Sequence, residues 1–100
     1  MLKHVIIWHL KDTYSQEEKD AITKDIKEAL EGLKGRIDGL LDIRVYRDLL
    51  PTSSGDVMLV CDLKDAEALK HYATHPEHVH VAETKIKPFA KIRSCVDYLV

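Results

Sequence analysis

Four segments of the chain carry apolar side chains with the spacing of β-strands. The first, roughly Leu2 to Leu10, is apolar at both odd and even positions over its central part. Residues 41–48 alternate, residues 57–63 ("VMLVCDL") are again apolar on both faces, and residues 90–100 close the chain. A strand with one solvated face alternates strictly, so two doubly apolar strands predict a sheet that is covered on both sides.

Two of the intervening segments have helical periodicity. Ser15 begins the first with a capping box that Glu18 completes. Apolar side chains then recur at helical spacing, at Ile22, Ile26, Ala29, Leu30 and Leu33. Asp65 is placed to cap the second helix, which runs to about Ala73. Pro76 then favours the first turn of another short helix, where its missing N–H is not needed.

The element order is β-α-β-β-α-β over a single domain, residues 1–100. With right-handed crossovers this order predicts an α+β, ferredoxin-like fold whose first strand lies between the third and the fourth. Both helical segments would cover the same face of the sheet. The other apolar face then needs a partner, and a second copy of the chain predicts a two-fold homodimer. A charge on the uncovered face, at Val5 or Val57, is expected to dissociate it, although alternation alone does not say which face is uncovered.

Charge and cysteine usage narrow the class of protein. The net charge is −2 and no cluster of Lys and Arg occurs, which argues against nucleic acid or an anionic membrane as partner. The longest apolar run near the N-terminus, residues 5–8, is too short for a membrane span or a signal-peptide core. Cys61 and Cys95 fit no metal or redox motif and are predicted to be buried, reduced thiols of a cytoplasmic protein.

The segment "HYATHPEHVH", residues 71–80, holds four of the six histidines. One interpretation is a metal site, for which His71, His75, His78, His80 and Glu77 offer enough ligands. Pro76, however, breaks the helix face on which these side chains would have to converge. We therefore predict neither a metal nor another cofactor here.

A second interpretation is proton transfer, since imidazole titrates near neutrality. Tyr72 and His78 lie on opposite sides of the helix break, and His4 shares a strand face with Trp8, so all could line one cavity. The alternative from the residues alone is structural: His75 and His78 cap helix ends and Tyr72 is a core side chain. His71 and His80 are expected to face solvent under either interpretation.

Four stretches of the chain carry a resemblance to a known family. They are "KHVIIWHLKD" at the start, "LKGRIDGLLDIRVYRD" and "ALKHYATHPEHVHV" within the chain, and "RSCVDYLV" at the end. Together they resemble the stress-responsive A/B-barrel (Dabb) family. The resemblance implies a ferredoxin-like protomer whose sheet packs against that of a second copy, giving a dimeric α+β barrel.

The resemblance also implies candidate site residues. A plant polyketide cyclase of this family closes an aromatic ring by aldol condensation without a cofactor. Carried over, its catalytic tyrosine falls on Tyr72 and its catalytic base on His78, while its other two matching histidines fall on His4 and His75. Trp8 shares the strand face of His4 and is predicted to bind substrate with them. The cyclase has a further histidine between its second and third strands, and residues 49–56 contain none.

Three classes of function stay open. One is a small-molecule-binding domain with cofactor-free acid–base chemistry, similar to the cyclase. The second is a non-catalytic, stress-associated homodimer that binds a ligand or is purely structural. The third, by analogy of fold alone, is a monooxygenase-like or isomerase-like member of the wider dimeric α+β-barrel group.

Overall fold

The computed structural model describes residues 1–100, and its element order is the predicted one. The elements are β1 (Leu2–Leu10), α1 (Gln16–Glu31), β2 (Leu40–Tyr46), β3 (Val57–Leu63), α2 (Ala66–Thr74), α3 (Pro76–Val81), a π-helical turn (Ala82–Ile86) and β4 (Ala90–Leu99). The strands form one antiparallel sheet in the order β2-β3-β1-β4. This confirms the ferredoxin-like α+β fold with β1 between β3 and β4. None of the helices is long and apolar enough to cross a membrane.

The helices begin where the sequence predicted. The Ser15 hydroxyl accepts the Glu18 N–H at 3.2 Å, and the Glu18 carboxylate accepts the Ser15 N–H at 3.0 Å. The Asp65 carboxylate likewise accepts the Ala68 N–H at 2.8 Å at the start of α2. These bonds satisfy amide groups that the first turn of a helix leaves unpaired. They fix where α1 and α2 start.

The helices cover the face of the sheet that carries the even-numbered side chains of β1. The core there includes Ile6 and Trp8, each 4% exposed, packed with Ile26 and Leu30 of α1. Val57 pairs directly with Trp8 across the strands, and its side chain is 0% exposed. Val57 therefore belongs to this covered face, so its predicted place on the uncovered face is wrong. Strand register decided this point, because a shift of one residue exchanges the two faces.

The opposite face has no helix over it. Its centre is a row of three valines, in which Val5 of β1 pairs with Val60 of β3 on one side and Val96 of β4 on the other. Val96 is 60% exposed, and Tyr98 on the same face is 49% exposed. The uncovered apolar face inferred from the sequence is therefore the one that carries Val5.

The two cysteines differ in environment. Both are free, but only Cys61 is buried, whereas Cys95 is exposed. The prediction that both are buried is wrong for Cys95. It lies on β4, an edge strand whose residues from Lys91 to Leu99 are all exposed, because the helices lie mainly over the other strands. Solvent and dissolved reagents can therefore reach the Cys95 thiol, whereas the Cys61 thiol is buried.

Candidate functional site

A cavity of about 250 Å³ lies between the sheet and the chain segment around Pro76. Thirteen residues line it: His4, Ile6, Trp8, Leu59, Tyr72, Ala73, His78, Val79, Ala82, Glu83, Ile86, Lys87 and Arg93. They come from both sides of the helix break, from the π-helical turn and from three strands. Irregular π-helical turns recur at functional sites because they re-aim the side chains that follow them.

Four of the five predicted site residues share this cavity: His4, Trp8, Tyr72 and His78. His75 does not line it. Its ring instead caps α3, where Nδ1 accepts the Glu77 N–H at 3.2 Å. His71 and His80 are exposed. Because Pro76 sits at the first position of α3, the chain turns there, and the side chains before and after the turn face one space.

Tyr72 is the most deeply buried aromatic side chain of the site, at 1% exposure. No hydrogen bond of standard geometry satisfies its hydroxyl, which has the Cys61 thiol as a polar neighbour. Burial, and to a smaller degree the nearby Cys61 thiol, raises the pKa of Tyr72 far above its usual range. The phenol is therefore protonated at all ordinary pH values and has a hydrogen to donate. A buried hydroxyl without a full hydrogen bond costs about 1–3 kcal/mol, so the Tyr72 hydrogen is available to an acceptor that could reach it.

Tyr72→Phe should leave the free energy of unfolding unchanged or raise it by about 1–2 kcal/mol, because it removes a polar group that is desolvated and unpaired. Tyr72→Ala should lower it by about 3–5 kcal/mol, because that change leaves a cavity in the core. Urea denaturation followed by circular dichroism measures both. A loss of more than about 1 kcal/mol in Tyr72→Phe would mean that the hydroxyl has a partner within the folded protein.

His78 lies against Tyr72, with ring centroids 4.3 Å apart. Its Nδ1 is 3.2 Å from the carbonyl oxygen of Ala73. A carbonyl can only accept, so Nδ1 carries the hydrogen and Nε2 keeps its lone pair. Burial lowers the pKa of His78, and electrostatic interactions with the nearby His4, Arg93 and His75 side chains lower it further, against the opposing effect of the hydrogen bond to the Ala73 carbonyl. His78 is thus a neutral base at pH 7 with a defined tautomer.

His4 also lines the cavity and is 6% exposed. Its Nδ1 makes a short contact with a carboxylate oxygen of Asp97, its direct partner across β1 and β4. Its ring is edge-on to that of Tyr72 at 6.0 Å. A carboxylate on Nδ1 holds the hydrogen there, which leaves Nε2 as the nitrogen that can act on a bound molecule.

Sequence reasoning missed three residues of β4 beside the site. Arg93 lines the cavity, Asp97 holds His4, and Cys95 lies between them on the same face. In the sequence these three polar side chains are spaced two residues apart, which predicts that they share one face of β4. That spacing does not predict that this face lies next to His4. Burial and the Asp97 carboxylate raise the pKa of the Cys95 thiol, although Arg93 opposes this, so the thiol is not activated as a nucleophile.

Relatives of this chain share the whole arrangement of strands and helices. The model of the stress responsive A/B barrel domain (Dabb) matches residues 2–100. The chain belongs to this family. A Dabb family protein with a ferredoxin-like fold from Mesorhizobium loti is 21% identical, with a TM-score of 0.75 over 99% of this chain and 95% of the other. No curated protein sequence matches this Dabb chain.

Two further solved structures resemble this Dabb protein. A dimeric protein of unknown function and ferredoxin-like fold from Bacteroides fragilis is 32% identical, with a TM-score of 0.90 over 99% of this chain and 95% of the other. A hydroxynitrile lyase from Passiflora edulis is 15% identical, with a TM-score of 0.72 over 99% of this chain and 92% of the other. At 15% identity the likeness to the lyase concerns the fold alone.

Proposed function

We propose that this Dabb protein binds a small carbonyl compound in the cavity and catalyses a proton transfer at the carbon next to the carbonyl. His78 removes the proton through Nε2. Tyr72 keeps its phenolic hydrogen and donates a hydrogen bond to the carbonyl oxygen, which stabilises the enolate that forms. The chemistry is proposed to need no cofactor, because His78 takes the proton from carbon and returns it to the enolate, which gives the enol and restores neutral His78.

The observation that carries this proposal is the buried Tyr72 phenol, without a hydrogen bond of standard geometry, whose ring packs against a neutral His78. A donor that is desolvated in advance stabilises a developing oxyanion more strongly than water does. Its neighbour has a free nitrogen lone pair and a lowered pKa, as a base that works at neutral pH requires. Enolisation needs a base that removes the proton and a donor that stabilises the enolate oxygen. Each feature alone is common in folded proteins, but together they meet both requirements.

The other lining residues support a ligand with an apolar body and a polar end. Trp8, Ile6 and Ile86 form apolar walls. His4 and Arg93 add a second polar end, where another oxygen of the ligand would bind. His75 contributes indirectly by capping the helix that carries His78.

An intramolecular aldol closure is the extension of this chemistry that the cyclase resemblance suggests. The enolate carbon would attack a second carbonyl of the same molecule, and a proton would be returned to the new alkoxide. His4, with Nε2 free and Asp97 behind it, is placed to help with that proton.

We also propose that the protein is a homodimer. The apolar row of Val5, Val60 and Val96 has no cover within the chain, and the Bacteroides fragilis relative is described as dimeric. A cytoplasmic location fits the free, exposed Cys95 thiol, which a reducing compartment would preserve.

Acetylacetone is a suitable first probe, because a 1,3-diketone exchanges between keto and enol forms by the same proton transfer. The protein should accelerate that exchange, followed by ultraviolet absorbance after dilution from organic solvent into buffer. Binding of the diketone without acceleration, detected by calorimetry, would favour the non-catalytic ligand-binding alternative. Neither binding nor acceleration by this probe or by larger aryl 1,3-diketones would refute the proposed function.

The lowered pKa of His78 has a measurable consequence. His78 stays neutral in the folded protein at pH values where it is protonated in the unfolded chain. The free energy of unfolding should therefore fall as the pH drops below about 6.5 and level off below the folded-state pKa. The catalysed rate should persist below pH 6.5 for the same reason. NMR titration of the His78 ring checks the midpoint, with His78→Gln to assign the signal. The titratable and charged groups near it are His4, Arg93, His75, Glu83 and Lys87.

A further inference from the structure

Three metal-ligating side chains converge beside the cavity, on the adjacent strands β1 and β4. Nδ1 of His4, Sγ of Cys95 and a carboxylate oxygen of Asp97 all lie within 4.8 Å of one another. The register explains the convergence, because Asp97 is opposite His4, while Cys95 is opposite Ile6, two residues along the same face. Two adjacent strands therefore present a nitrogen, a sulfur and an oxygen donor to one point.

The geometry does not fit a catalytic Cys–His–Asp triad. In such a triad the nucleophile and the carboxylate contact opposite nitrogens of the imidazole. Here Asp97 contacts Nδ1, and the Cys95 sulfur is also nearest to Nδ1, at 3.9 Å. The imidazole cannot take a proton from Cys95 at Nδ1, because that nitrogen already carries the hydrogen that it donates to Asp97.

We propose that His4, Cys95 and Asp97 form a zinc-binding site. Imidazole, thiolate and carboxylate are the three ligand types that zinc takes from proteins, and a site with three protein ligands keeps its fourth position for water or a substrate. The thiolate and the carboxylate together balance the charge of the ion. The exposed edge strand leaves the ion open to solvent on the side away from His4.

The present distances require little movement. Bond lengths of zinc to nitrogen, oxygen and sulfur imply ligand separations of roughly 3.3–3.6 Å in a tetrahedron. The Cys95 sulfur is already 3.9 Å from His4 Nδ1 and 3.6 Å from Asp97 Oδ2. Only the short His4–Asp97 contact has to open, and the Asp97 side chain is free to move, since it is 39% exposed while that of His4 is 7% exposed. Arg93, the neighbouring cation on β4, is exposed and can turn into solvent.

Zinc at this position would also alter the cavity, an inference that rests on the proposed function. With Asp97 as partner, the hydrogen of His4 is on Nδ1 and Nε2 is an acceptor. With zinc on Nδ1, the neutral ring carries its hydrogen on Nε2, which becomes a donor. His4 would then offer a second hydrogen bond to a carbonyl or enolate oxygen. The metal would thus change the polar character of the site from outside the cavity.

Cobalt substitution tests the metal site without any substrate. The full-length protein, mixed with one equivalent of CoCl2 under anaerobic conditions, should develop the near-ultraviolet thiolate-to-cobalt charge-transfer band and the intense visible bands of tetrahedral cobalt. ZnCl2 should abolish both by displacement. Cys95→Ser should lose the charge-transfer band, and Asp97→Asn should weaken zinc binding by about tenfold or more.

Two variants serve as matched controls. Cys61→Ala removes the other thiol, and His71→Gln disrupts the pair of imidazoles formed by exposed His71 and half-buried His75, whose ring centroids are 5.5 Å apart. Both should keep the cobalt spectrum and the zinc affinity. A missing charge-transfer band in the parent protein, or binding that is lost in His71→Gln and kept in Cys95→Ser, would overturn the assignment. The metal-free protein should still enolise acetylacetone, so failure of the zinc site and failure of the proposed function are distinguishable.

Discussion

His78→Gln is expected to lower the rate of acetylacetone enolisation by about 10²–10⁴-fold, the usual contribution of a general base. Gln keeps a polar side chain of similar reach, so it can still bond to the Ala73 carbonyl, but it has no basic nitrogen. The rate is followed by ultraviolet absorbance at saturating probe, so that a change in kcat is separated from a change in KM. His80→Gln is the matched control, because His80 lies on the same short helix and is exposed.

Tyr72→Phe should lower the same rate by about 10²–10³-fold, since it removes one hydrogen-bond donor to the enolate oxygen. The variant should be at least as stable as the parent, so the lost rate cannot be attributed to unfolding. The two changes together should cost less than the product of their single effects, because the base and the donor act on the same transition state. Full activity in either single variant would remove that residue from the proposed mechanism.

Val5→Asp and Val57→Asp are expected to fail in different ways, although both introduce one carboxylate into an apolar surface of the sheet. Val5→Asp places the charge at the centre of the uncovered face, between Val60 and Val96. It should convert a dimer of twice 11.4 kDa into folded monomers, as measured by sedimentation equilibrium. Val57→Asp buries the charge in a core position that is 0% exposed. It should unfold the chain, because an unpaired buried charge costs several kcal/mol against a total stability of about 5–15 kcal/mol.

Comparison of the two variants distinguishes a loss of dimerisation from a loss of folding. Circular dichroism should show native secondary structure for Val5→Asp and its loss for Val57→Asp. Thr52→Asp, which adds the same charge in an exposed loop, should remain a folded dimer. A parent protein that sediments as a monomer at micromolar concentration would contradict the dimer. A folded dimer of Val5→Asp would mean that the copies associate through a different surface.

The sequence alone determined the elements and the order of the strands. The doubly apolar β1 and β3, the Ser15–Glu18 capping box and Pro76 are local signals, because each depends on side chains within a few residues of one another. Local geometry is enough to place them, and the handedness of crossovers then permits one arrangement of four strands. The spacing of Tyr72 and His78 on either side of the helix break at Pro76 also predicted that both line one cavity. The family resemblance then suggested a role for each.

Only the tertiary structure decided which residues meet across strands. Alternation defines two faces of a strand but does not say which one the helices cover, so Val57 was placed on the wrong face. His75 was expected beside a substrate, yet its ring caps α3, because the nearest unpaired amide lies two residues away. Asp97 and Cys95 reach His4 only through the register of β1 with β4, more than 90 residues apart along the chain. That register is set by packing over the whole sheet, and it cannot be predicted from short-range sequence patterns.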